Sequence, residues 1–153
     1  LSAGEISIRK AASSDVESIW RLLADLGYGD QTLSTFEETF RTVSLNSAIS
    51  VLVAEAGDRI VGLASTSHRP QLRLGGLLVS LDEFVVAAEY RGCGVGRLLL
   101  EGVKAHARAL KACRLELETN RVRESYKRGF YVKNGFTEVN SAVLRIDREE
   151  LEA

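Results

Sequence analysis

The stretch Arg91-Gly92-Cys93-Gly94-Val95-Gly96-Arg97 decides how this sequence is read, because it joins two segments of different periodicity. Before it, the apolar run Leu77 to Val86, interrupted by Ser80, Asp82 and Glu83, reads as a strand covered on both faces. After it, Leu99, Val103, Ala107 and Leu110 recur along one side of a helix that reaches about Leu110. A glycine-rich turn from a buried strand into a helix leaves the first helical N–H groups without partners and lets a bulky anion approach the backbone. Arg91 and Arg97 bracket the turn and add charge-assisted donors suited to a diphosphate. Two familiar phosphate loops do not fit. A Walker loop needs Gly-Lys followed by Ser or Thr, whereas Gly96 is followed by Arg97 and Leu98. The dinucleotide fingerprint needs a third glycine at position 97 after Gly92 and Gly94. Cys93 has no base paired with it in sequence and reads as a small loop residue.

Working outward, Ile6 to Arg9 alternate as in a half-buried strand, and Ser14 with Glu17 has capping-box spacing for a helix through Val16, Ile19, Trp20, Leu23 and Leu26. Gly27 and Gly29 stop it, and Ser34 with Glu37 repeats the cap for a second, shorter helix marked by Phe36, Phe40 and Val43. The runs Ile49–Glu55 and Ile60–Ser67, about the turn Ala56-Gly57-Asp58-Arg59, predict an antiparallel hairpin. Residues 68–76, with Pro70 and the Gly75-Gly76 pair, predict a loop. Beyond the glycine segment come a strand at Arg114–Glu118, a helix over 124–133 and a final strand from Phe136 to Ile146. This order describes a mixed α/β fold in one domain over residues 1–153, with no repeat or linker.

The 153 residues are 45% hydrophobic and 27% charged, which excludes the disordered and membrane classes. A net charge of -1 lacks the basic excess of a nucleic-acid binder. Cys93, Cys113, His68 and His106 form no closely spaced set of metal ligands, so no metal is expected. No apolar run is long enough to span a membrane, and the first twenty residues do not read as a signal peptide, which makes a reducing cytoplasm the expected setting.

A second segment, Gly129-Phe130-Tyr131-Val132-Lys133-Asn134-Gly135-Phe136, ends a helix at Gly135 and starts a strand with Phe136. Together the two segments resemble the GNAT superfamily of N-acetyltransferases. Its R/QxxGxG/A loop is met by Arg91, Gly94 and Gly96, and its FYxxxGF motif by Phe130, Tyr131, Gly135 and Phe136. Where the family commonly has a small residue four before the tyrosine, this chain has Lys127, preceded by Tyr126. The resemblance implies a splayed, largely antiparallel sheet of six to seven strands with about four helices packed on both faces. It implies acetyl-CoA as co-substrate, its pantetheine arm along Phe84, Val85 and Val86 and its pyrophosphate in the loop Arg91, Gly92, Cys93, Gly94, Val95, Gly96 and Arg97. Asn120 falls where the family often places a polar cofactor contact, and reads equally as a turn residue. The family often forms dimers, so the resemblance admits a homodimer.

Direct acetyl transfer to an amine needs a neutral amine, a donor to the developing oxyanion and a proton for the departing thiolate. Tyr131 matches the family's tyrosine acid, since a phenol of pKa about 10 can protonate a thiolate of about 8.5. The main-chain N–H near Val86 would polarise the thioester carbonyl. The resemblance favours Glu83 as the base, since family members often carry an acid at about this point in the strand, and burial would raise its pKa toward neutrality. Because neighbours on a strand face opposite ways, only one of Asp82 and Glu83 is expected to point into the site, and either could instead orient a cation. His68 reads as a solvated loop histidine. The acceptor pocket is implied around Tyr28, Gly29, Asp30, Glu37, Glu38 and the 68–76 loop, whose acids suit the primary amine of a small cationic molecule. A protein or peptide N-acetyltransferase, or a non-catalytic acyl-CoA-binding module, would share the cofactor residues.

Overall fold

The structure is a computed structural model and describes residues 5–153. The chain folds as two compact units, one ending at Glu118 and one running from Thr119 to Ala153.

The first unit is a five-stranded sheet with three helices. Strand β1 (Ile6–Lys10) leads through a 3-10 turn at Ser13–Asp15 into α1 (Val16–Asp25) and α2 (Leu33–Leu45). Strands β2 (Ile49–Ala56), β3 (Arg59–Gln71) and β4 (Gly76–Val86) follow, then α3 (Val95–Ala109) and β5 (Arg114–Leu117). The sheet order is β1-β2-β3-β4-β5, antiparallel except for the parallel β4–β5 pair. A Cβ at Gly62 would meet Leu99 and one at Gly102 would meet Ile8 and Leu52, so α3 lies on the sheet face bearing those residues. Val53 and Leu63 alternate with them and are buried on the opposite face, where α1 packs on β3 and α2 on β2. Val95, Leu99, Leu100 and Val103 of α3 are fully buried, each contributing roughly 1.5–3 kcal/mol. That burial fixes where α3 begins.

The second unit holds single helical turns α4 (Glu124–Lys127), α5 (Phe130–Lys133) and α6 (Arg148–Leu151). The helix expected over 124–133 is split because Gly129 adopts φ +68°, a left-handed break.

Several expectations are corrected. The described residues form five strands and six helices, not six to seven strands and about four helices. The final strand expected at Phe136–Ile146 is absent, since these residues pair with no strand among the described residues. The second helix is longer than the first, 13 residues against 10. Residues 68–71 extend β3 rather than forming a loop, and the chain turns at Leu72–Leu74 and at Gly75, φ +64°. The caps also shift. Asp15, not Ser14, precedes α1, its carboxylate accepting from the Ala12 N–H at 2.7 Å, and Thr32, not Ser34, accepts from the Thr35 N–H at the start of α2.

Asp15 further accepts from Arg9, at 2.7 and 2.9 Å, and Arg9 also donates to Glu55 at 3.0 Å, tying β1, β2 and the entry to α1. The Arg9 hydrogen bonds hold the carboxyls of Asp15 and Glu55 below their ordinary values and raise the guanidinium's. A lowered folded-state carboxyl pKa adds stability above the unfolded value of about 4, and this is lost as pH falls through the folded value. Asp15→Ala is therefore expected to cost about 2 kcal/mol in urea unfolding at pH 7. The difference from wild type should shrink below about pH 4.

Candidate active site

Strand β4 is where the two sides of the sheet part company. Its parallel ladder with β5 runs from Leu78↔Arg114 to Leu81↔Leu117 and stops, while β4 continues five residues further to Val86. At the same point the register with β3 shifts, from Ser65↔Glu83 to Thr66↔Leu81, leaving Asp82 as the extra residue of a β-bulge. A bulge bends and twists its strand and re-aims its side chains. Asp82 and Glu83 are both exposed. Glu83 is thus not the buried carboxyl the sequence argument assumed. It accepts a short hydrogen bond from the buried Ser65 hydroxyl on the neighbouring strand.

The sheet register gives Glu83 a direction. Ser65 alternates with Ala64 and shares the Leu63 face, so Glu83 opposite it points to the side covered by α1 and α2. Tyr28 and Asp30 lie on the loop joining those helices, with Tyr28 45% accessible. The Trp20 Nε1–H donates to the Gln31 carbonyl at 3.1 Å and the Tyr28 N–H to Leu23 at 2.9 Å, which holds this loop against α1. His68, by the same alternation, sits on the α3 face. There burial, followed by the charges of Lys10 and His68, holds His106 below its ordinary pKa.

The chain leaves β4 with the Ala87 N–H donating to Val61 at 2.9 Å. The Val86 N–H, one residue earlier, therefore points to the opposite edge, past the end of β5. A 3-10 turn at Ala88–Tyr90 follows, steadied by the Arg59–Glu89 ion pair and by Arg59 lying 5.9 Å over the Tyr90 ring. Glu89, bonded by its own backbone N–H and by Arg59, has its carboxyl held below the usual range.

Arg91 then donates back to the Val86 carbonyl at 3.2 Å. Gly92 and Gly94 adopt φ +77° and +85°, with nothing within 4 Å of where a side chain would stand. Their conformation is one that L side chains rarely adopt, and the space over them is open. Gly94 caps α3, whose first turn carries no acidic residue and no side-chain cap, so its N–H groups and positive dipole end are left for an anion, with Arg97 beside them. Cys93 is exposed, its thiol 3.8 Å from the Arg91 carbonyl.

In the second unit, Asn120 accepts from the Val122 N–H at 3.0 Å, a turn role for its side-chain oxygen. Tyr131 is half-buried, its ring edge-on to Phe130 and Phe136 with centroids 5.1 and 6.0 Å apart. The Phe136 N–H donates to the Tyr131 carbonyl, and Asn134 Nδ2 to that of Phe130 at 2.7 Å. Tyr126 instead donates to Glu138 at 2.9 Å, and that bond raises its pKa. Ser65 and the Tyr126–Glu138 pair escaped the sequence reading, because only the strand register and the fold of the second unit reveal their partners.

A family profile described as "Acetyltransferase (GNAT) domain" matches residues 47–138, which spans β2 to Glu138. The chain belongs to the GNAT acetyltransferases. As a GNAT protein it is an acetyl-transferring enzyme, of a family that uses acetyl-CoA as co-substrate. The chain is similar to the aminoalkylphosphonate N-acetyltransferase of Salmonella typhimurium, 26% identical over 129 residues covering 84% of this chain and 83% of the relative. In fold it resembles a transcriptional regulator from Bacillus halodurans C-125, with TM-score 0.84, 23% identity and coverage of 94% and 99%. It also resembles glucosamine-6-phosphate N-acetyltransferase from Arabidopsis thaliana, with TM-score 0.79, 22% identity and coverage of 93% and 98%. Among the described residues no helix is long and apolar enough to cross a membrane.

The GNAT loop gives a direct prediction. Gly94→Ala forces an L side chain into φ +85°, at a cost of about 1 kcal/mol, and displaces the start of α3. Calorimetric titration should show CoA binding weakened about tenfold, equivalent to about 1.4 kcal/mol.

Proposed function

We propose that this GNAT enzyme moves an acetyl group directly from acetyl-CoA to the primary amine of a small cationic molecule, and that its two units act as one acetyltransferase domain. The observation that carries this reading is the bulge at Asp82, which presents two exposed carboxylates on a strand that has outrun its neighbour and leads into an uncapped, acid-free helix start. The residues present fit the co-substrate. Gly92, Cys93, Gly94, Val95 and Gly96 would wrap the diphosphate with main-chain N–H groups, and Arg91 and Arg97 would add charge. Phe84, Val85 and Val86 would hold the pantetheine arm, and Asn120 would add a polar contact. When bound, acetyl-CoA supplies the activated acetyl thioester.

The chain's own groups then divide the proton work. Glu83, held by the Ser65 hydroxyl, would take a proton from the acceptor ammonium, directly or through one water, and so free the lone pair. Asp82 beside it, with Tyr28 and Asp30 on the α1–α2 loop, would orient the cation. The Val86 N–H would polarise the acetyl carbonyl. Tyr131 would give its phenolic proton to the departing sulfur.

A second acceptor has a specific observation behind it. The 26%-identical relative is named for aminoalkylphosphonates, whose amine carries an anionic tail in place of further positive charge. Free-CoA release measured across polyamines, aminoglycosides, aminoalkylphosphonates and N-terminal peptides separates these acceptors, and the proposal expects turnover of the small cationic amines. Activity with phosphonates alone would move the acceptor to the second reading, and activity with peptides alone would make this a peptide acetyltransferase.

Tyr131→Phe is expected to lower kcat about 100-fold while leaving the KM for acetyl-CoA within about twofold. An unchanged kcat would remove Tyr131 from the acid role. Glu83→Gln should lose the low-pH limb of the kcat/KM profile, and a retained limb would remove Glu83 as base.

A further inference from the structure

The 3-10 turn Ala88–Tyr90 is the last piece of chain before the glycine loop, and little of it is packed. None of its three residues is buried. On the α1 side it borders a pocket of about 360 Å³ walled by α1 with Leu26, by residues 58–60 and by residues 87–89, so there the turn faces a hollow rather than packed side chains. Its backbone ties are local. The Tyr90 N–H donates to the Ala87 carbonyl at 2.9 Å and the Arg91 N–H to that of Ala88 at 3.3 Å.

What reaches the turn from elsewhere is Arg59. The β3–β4 ladder pairs Gly62 with Val86, and the Ala87 N–H then meets the Val61 carbonyl. Carried two residues further, the same antiparallel register sets Arg59 opposite Glu89. The backbone ladder has ended there and side chains take over. Arg59 forms an ion pair with Glu89, and its guanidinium lies 5.9 Å over the Tyr90 ring. Among the described residues no other side-chain hydrogen bond or ion pair holds Ala88–Tyr90. The base of Arg59 is firm, because it closes the tight hairpin opposite Ala56 and is followed by the buried Ile60 and Val61.

We propose that Arg59 is a positioning residue for the glycine loop. By holding Glu89 and Tyr90 it fixes the point from which residues 91–97 depart, and it thereby sets the affinity for CoA through the turn rather than through its own charge. This rests on the proposed grip of residues 91–97 on the diphosphate. The ion pair is exposed, so its loss should show in the loop and hardly in the stability of the fold.

Calorimetric titration with CoA, run beside thermal unfolding, tests the proposal. Because an exposed ion pair and an exposed cation–π contact are each weak, Arg59→Ala is expected to weaken CoA binding about fivefold and Glu89→Ala by a similar factor. The double variant should be no more than about twofold weaker than either single one, since both remove the same contact. Arg59→Lys keeps a cation opposite Glu89 and should bind CoA within about twofold of wild type. Glu89→Ala decides the sign. Were Arg59 to act by attracting the anion directly, removing an acid would tighten CoA or leave it unchanged, and either result overturns the proposal. Unchanged affinity in Arg59→Ala also overturns it, as does weakened binding accompanied by a fall in unfolding temperature of more than about 5 °C, which would make the contact a support of the whole fold. Gly94→Ala separates this inference from the reading beneath it. If that variant also binds CoA as wild type does, the diphosphate grip fails and the role of Arg59 with it; if it binds weakly while Arg59→Ala and Glu89→Ala do not, the role of Arg59 alone fails.

Discussion

The structure depends on a mismatch of length and register at one strand. β4 is bound on one side by β3 through Val86, but on the other side β5 stops opposite Leu81. The extra residue Asp82 is inserted where the two ladders diverge. A sheet that zipped fully would bury Glu83 or turn it away, and would engage the Val86 N–H in a ladder. The bulge and the short β5 together put two acids and a main-chain donor on a rigid strand that leads within a few residues into the glycine turn. The site is thereby built on a deeply packed part of the fold, since Val95, Leu99, Leu100 and Val103 of the next helix are fully buried against the same sheet.

The two halves of the chemistry draw on different kinds of support. The proposed diphosphate site rests on backbone conformation, with Gly92 and Gly94 at positive φ and the start of α3 left without a side-chain cap. The proposed acceptor side rests on the side chains of Asp82, Glu83, Tyr28 and Asp30, carried by a bulge and a loop. Enzymes sharing this fold can therefore keep the donor and change the acceptor by altering a few residues outside the core.

Much of this was legible in the sequence for a physical reason. Gly92, Gly94 and Gly96 between an apolar run and an amphipathic helix mark a strand-to-helix turn, which the structure has, and the hairpin about Gly57 closed as its pattern required, with Ala56 paired to Arg59. Features that depend on partners distant in sequence were hidden. The bulge at Asp82 arises from register against Ser65 and Thr66, partners that strand alternation alone does not reveal. The caps missed by a residue or two because Ser14 and Asp15 are equally good candidates until Arg9 and the Ala12 N–H are seen to select Asp15. The segment Phe136–Ile146 carries a strand-like pattern, yet among the described residues it is not assigned to a strand.

The central claim is that one main-chain surface, formed by the glycine turn and the end of β4, holds the co-substrate. Amide hydrogen exchange with and without saturating CoA tests it most directly. The account predicts slowed exchange concentrated at residues 91–98 and at the stretch of β4 beyond Leu81. Unchanged exchange there, or protection confined to other parts of the chain, would contradict it.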